Sequence, residues 1–97
     1  MAYVHFFTVP VLFSDGTSTE DTVSGLKEYL LELAGGYSEL GTSEGGWLDS
    51  QGSAETEGIV SFIVSAPTDI SAELKGYLSD NFNQQYPYVL VWTGTSD

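Results

Sequence analysis

The chain has 97 residues, 41% hydrophobic and 13% aromatic, with 14 acidic against 2 basic residues and a formal net charge of −12. That length suits one domain with a small core, and the apolar content excludes disorder across the whole chain. The charge excludes direct binding to DNA, RNA or an anionic membrane, and the lack of cysteine excludes disulfides and thiolate metal sites. What the charge favours is a small cationic molecule, a basic protein partner, or a well-solvated surface. No arginine is present, so no site can grip a phosphate by bidentate pairing.

The N-terminal stretch YVHFFTVPVLF, 3–13, is β-branched and aromatic and predicts a first strand. It has no basic segment before it and no small-residue cleavage site, so it reads as a strand and not as a signal peptide. No apolar run approaches the length of a membrane span, and a cytoplasmic location is the expectation. Pro10 cannot donate to a ladder and marks an edge, a bulge or an early strand end. SDGTS follows as a turn. Ser18 then opens a helix, with Asp21 placed as the acid of a capping box. Val23, Leu26, Leu30 and Leu33 recur at spacings of three and four, the stripe of an amphipathic helix, and Gly35-Gly36 stops it.

YSELG, 37–41, alternates as a short strand, and 42–56 reads as a loop or irregular hairpin. EGIVSFIVS, 57–65, is the strongest strand. Pro67 ends it, and Thr68 or Asp69 caps a second helix with Ile70, Leu74, Tyr77, Leu78 and Phe82 along one face. YVLVW, 88–92, is the last strand, with 93–97 a frayed tail. The order is β-α-β-β-α-β over one domain, 1–97. This is the α+β, ferredoxin-like plan: a four-stranded antiparallel sheet with both helices on one face.

The strands are apolar on both parities. Val4 and Phe6 oppose Phe7 and Val9, Ile59 and Ile63 oppose Val60 and Phe62, and Leu90 and Trp92 oppose Val89 and Val91. A sheet face open to water shows a polar parity. These strands do not, so a homo-oligomer is expected.

His5, the one histidine, stands among aromatics and reads as a packed or interface residue more readily than as a ligand or a base. No metal site is indicated, and the Gly-Gly pairs do not precede helices as phosphate loops do. Glu55 and Glu57 stand two apart at the start of the strongest strand. They read either as an exposed strand end or as carboxylates that receive a ligand ammonium or sulfonium, with Glu57 the candidate catalytic residue. Trp47 reads either as a hairpin aromatic folded over the sheet or as an aromatic wall for such a cation. Gln84 and Gln85, before the last strand, read as a polar turn or as groups that bind a purine edge or an amino-acid head.

Together these residues carry a resemblance. Gly-Gly-Tyr-Ser follows the first helix, Gly-Gly-Trp comes later, an acid opens the third strand, and Gln85 precedes Val89-Leu90-Val91. The pattern resembles a broad set of small ferredoxin-like proteins that includes the phage S-adenosylmethionine lyases, formerly called hydrolases. Trp47 stands where that family has a tyrosine, and the spacings to Glu57 and from Gln85 are shifted. The resemblance implies a metal-free, cofactor-free, trimeric enzyme with sites between subunits, located in the host cytoplasm if phage-encoded. Its reaction gives methylthioadenosine and homoserine lactone from S-adenosylmethionine. Glu57 would receive the substrate ammonium, Gln85 would orient a polar group and Trp47 would shield the site. The charge supports a different class of function: an acidic, non-enzymatic protein that inhibits a host defence or nucleic-acid-binding protein.

Overall fold

Apolar residues at helical spacing and at strand spacing converge on one buried layer, and this layer sets the architecture. The computed structural model describes residues 2–84 and 87–94. The elements are β1 (Ala2–Pro10), α1 (Glu20–Ala34), β2 (Ser38–Leu48), β3 (Ala54–Ala66), α2 (Ser71–Phe82) and β4 (Leu90–Gly94). The strands form one antiparallel sheet in the order β2-β3-β1-β4. This is the expected ferredoxin-like α+β fold.

Phe7 and Val9 of β1 pair with Phe62 and Val60 of β3, and these four side chains point toward the helices. Val23, Leu26 and Leu30 of α1 meet them, as do Leu74, Leu78 and Phe82 of α2. Phe7 and Phe62 stack with ring centroids 5.5 Å apart, and Tyr37 meets Phe62 edge-on at 6.1 Å. On the outer side of the layer Tyr29 and Tyr77 stack at 4.1 Å and tie the helices together. Partial burial holds both phenols above the usual tyrosine range.

The helix ends show how local chemistry places the elements. Gly35 terminates α1 in the left-handed conformation, φ 81°, with its N–H donating to the Leu31 carbonyl. The expected capping box at Ser18 and Asp21 does not form. Thr19 precedes the first helical residue, and its buried hydroxyl turns away to the carbonyls of Pro10 and Val11, at 2.6 and 2.9 Å. Those carbonyls lie where the sheet ladder ends, so the hydroxyl serves the strand end instead of the helix. Ser18 still accepts the Glu20 N–H, at 3.1 Å. At α2 the Asp69 carboxylate accepts the Ser71 N–H at 2.9 Å. Hydrogen bonds from the Ser71 side chain and backbone hold the Asp69 carboxyl below the usual carboxylate range.

The strand limits differ from the sequence expectation in three places. β1 stops at Pro10, and Leu12 makes only an isolated bridge to Ser18. β4 begins at Leu90, not at Tyr88, and runs through Thr93 and Gly94, which pair with Tyr3 and Ala2, so this part of the supposed tail belongs to the sheet. The third difference is the largest. The stretch 42–56 is mostly a regular hairpin, with Thr42 to Leu48 pairing with Val60 to Ala54. Only Asp49–Ser53 form the turn, where Asp49 Oδ1 accepts the N–H groups of Gln51 and Ser53 and Gly52 supplies φ 81°. At roughly 3.3 Å per residue the 13 residues of β3 match the 45 Å long dimension of the molecule.

Candidate functional site

The site forms where β1 leaves the sheet. Pro10 ends the ladder, and Val11 makes one last bond to β3, its N–H donating to the Gly58 carbonyl at 2.9 Å. Gly58 permits this approach, since a β-carbon there would lie 3.3 Å from Val11 Cγ2. The chain then turns through Ser14–Thr17. Asp15 Oδ1 accepts the Thr17 hydroxyl and N–H at 2.6 and 2.9 Å, and these bonds lower the Asp15 pKa. Beyond Gly58 the β2–β3 hairpin continues without a third strand, as a two-stranded arm.

The place that β1 vacates is a cleft of about 580 Å³. This lies within the size range of small-molecule sites. One wall is the arm, with Trp47, Thr56, Glu57 and Gly58; the other is Leu12, Phe13, Phe82, Asn83 and Gln84. Phe13 stacks on Phe82 at 6.4 Å and joins the cleft to the core. Asn83 follows α2 in the left-handed conformation, φ 56°, and turns the chain so that Gln84 faces the cleft. The Gln84 carbonyl accepts the Ser79 hydroxyl at 3.2 Å. Its side-chain Oε1 is buried and has no hydrogen-bond partner among the described residues.

The structure therefore brings together three of the residues singled out in the sequence: Trp47, Glu57 and Gln84. Trp47 is directly opposite Glu55 in the ladder, and Glu57 opposite Gly45, so Trp47 and Glu57 share one face of the arm. Gly45 and Gly46 leave the strand beside Trp47 without bulky neighbours. Trp47 is 48% exposed, so its ring is available to a ligand. Glu55 is exposed on the same arm but does not line the cleft. Gln85 lies outside the described residues. Leu12, Phe13 and Asn83 were not legible as site residues. The first two read as strand apolars. An asparagine just after a helical stripe is the one signal available for a left-handed turn.

No lysine lines the cleft. Lys27 pairs with Glu39 at 3.0 Å, and this hydrogen bond raises the Lys27 pKa. The cleft offers an aromatic wall, a carboxylate and the Gln84 side chain. This set suits a ligand that carries positive charge and N–H donors. His5 stands apart, fully buried. Its Nε2 accepts the Ile70 N–H at 3.0 Å, which leaves Nδ1–H to donate to the Val64 carbonyl at 3.1 Å. It is the packed histidine that its neighbours predicted. Asp69 Oδ1 lies 3.5 Å from Nε2. Among the described residues no group of three or more His, Asp or Glu is placed to hold a metal ion, and no described helix is long and apolar enough to cross a membrane.

The fold has a counterpart among solved structures. The chain superposes on the divalent cation tolerance protein (Cut A1) from Thermus thermophilus with a TM-score of 0.74. The match covers 100% of this chain and 87% of that one, at 17% sequence identity. Both are small proteins of one fold. A likeness at this identity carries the architecture and no activity. No protein-family model and no curated protein sequence matches the chain.

Proposed function

We propose that this protein binds a small organic cation in the cleft between the β2–β3 arm and the end of α2. The observation that supports it is the convergence of Trp47, Glu57 and Gln84 on one cleft without a lysine. A carboxylate beside an indole face suits an ammonium or sulfonium.

The specific substrate implied by the sequence resemblance is S-adenosylmethionine. In that reaction the substrate carboxylate oxygen attacks its own γ-carbon. The new C–O bond closes the lactone as the C–S bond breaks, and the electron pair leaves on sulfur as methylthioadenosine. No protein nucleophile or cofactor is required. The protein contributes by holding the reactive conformer, which can supply most of the acceleration. Glu57 would hold the substrate ammonium, with Trp47 over the sulfonium. Gln85 would orient a polar group of the substrate, and Gln84, which precedes it in sequence, lines the cleft. On this reading the 97 residues act as one domain within a homo-oligomer, a trimer by resemblance, in the cytoplasm of the host.

Incubation of the purified protein with S-adenosylmethionine, followed by chromatography, tests the specific reading. Methylthioadenosine is expected from the wild type, with at least a tenfold lower rate from Glu57→Gln. Absence of product at high enzyme concentration ends the lyase reading.

A second reading rests on the charge of −12 alone. An acidic inhibitor would associate with a basic protein in a salt-sensitive way. Glu57→Gln barely alters that charge, so association unaffected by this substitution would favour the second reading.

A further inference from the structure

We infer that Tyr29 and Tyr77 form an oxidative cross-linking site, at which a one-electron oxidant of the peroxidase class joins α1 to α2 by a carbon–carbon bond between the two phenol rings. Tyr29 of α1 and Tyr77 of α2 lie face to face, with ring centroids 4.1 Å apart and planes 15° from parallel. Aromatic pairs ordinarily sit about 4.5–7 Å apart. The other aromatic pairs of the described residues lie at 5.5, 6.1 and 6.4 Å, and none of them joins two tyrosines. Gly25, one turn before Tyr29, lets the rings come this close. A β-carbon there would stand 3.6 Å from the Tyr77 hydroxyl oxygen, so a side chain longer than that of alanine would meet the ring. Both tyrosines are only partly buried, so a diffusible oxidant reaches them.

The chemistry balances within the pair. Each phenol gives up one electron and one proton, and each tyrosyl radical carries unpaired density on the ring carbons beside the oxygen-bearing carbon. Two such carbons, one from each ring, form the new bond. The hydrogens they carried move to the phenol oxygens as the rings regain aromaticity. The net loss is two hydrogen atoms, which reduce one hydrogen peroxide to two waters at the peroxidase. Burial, with the negative charge of Glu73 near Tyr29 and of Glu28 near Tyr77, keeps both phenols protonated at neutral pH, so the proton leaves with the electron. The chain has no cysteine. This bond does what a disulfide does elsewhere: it closes the loop from 29 to 77 and restricts the unfolded chain. Neither ring lines the cleft, and the inference does not depend on the ligand.

The test is treatment of the folded protein with a peroxidase and hydrogen peroxide, followed by trypsin and mass spectrometry. The only lysines are Lys27 and Lys75 and there is no arginine, so trypsin leaves Tyr29 in fragment 28–75 and Tyr77 in fragment 76–97. The expected product has the denatured single-chain mass less two hydrogens. Its fragments 28–75 and 76–97 are joined, with the bond between Tyr29 and Tyr77. Tyr29→Phe and Tyr77→Phe, with unchanged circular dichroism, are each expected to lower the yield of joined fragments at least tenfold. Tyr37→Phe removes another phenol of fragment 28–75 and is expected to keep that yield. Absence of joined fragments from the oxidised wild type overturns the inference. So does their full retention in either folded variant of the pair, or an equal yield from protein unfolded in urea.

Discussion

The helix-covered half of the sheet and the β2–β3 arm are both β-ladder, but they are held together differently. Under the helices, Phe7, Phe62, Val64 and Val9 are fully enclosed, and their side chains decide the pairing. In the arm, Thr42–Leu48 and Ala54–Gly58 are almost all exposed, and glycines and glutamates fill half of the ladder. There the backbone hydrogen bonds and the Asp49 turn hold the strands. An isolated two-stranded ribbon is marginal in water. One region stores the stability, and the other is free to carry a ligand wall.

The largest effect of a substitution is expected at Phe62. Truncation to alanine empties the centre of the core and should cost about 3–5 kcal/mol. His5→Leu comes next. It keeps apolar volume but leaves the buried Ile70 N–H without its acceptor, at a cost of about 1–3 kcal/mol. Amide exchange localises that effect: faster exchange at the start of α2, with the arm unchanged, is the expected pattern. The smallest effect is expected in the arm. Leu48→Ala, at a side chain 70% exposed, should change stability by no more than about 0.5 kcal/mol. Denaturant unfolding of the three variants measures the differences. Similar losses at Phe62 and Leu48 would show that the arm is as integral as the core.

The same contrast explains what could be read in advance. The stripes of α1 and α2 were legible because side chains determine them: Val23, Leu26 and Leu30 in one helix, and Leu74, Leu78 and Phe82 in the other, are all buried. The apolar double parity of β1, β3 and β4 was legible for the same reason. The arm was not, because TSEGGWL carries no apolar alternation and its pairing comes from the backbone. Its register depends on a bulge between Glu39 and Gly41, where Gly41 takes φ 92°. Thr19 escapes a reading of the sequence because its hydroxyl serves carbonyls of a distant strand end, which no local motif reveals. Of the site, Trp47, Glu57 and Gln84 stood out as an aromatic, an acid and an amide in unexpected places. Their meeting across the gap left by β1 depends on the left-handed turn at Asn83 and on the length of the arm.

On the proposed function, this gap is a ligand site. Fluorescence of Trp47, isolated in a Trp92→Phe background, tests it most directly during titration with S-adenosylmethionine. A saturable change in emission is expected, with the affinity weakened at least tenfold by Glu57→Gln. A flat titration, or an unchanged affinity after loss of the carboxylate, would contradict it.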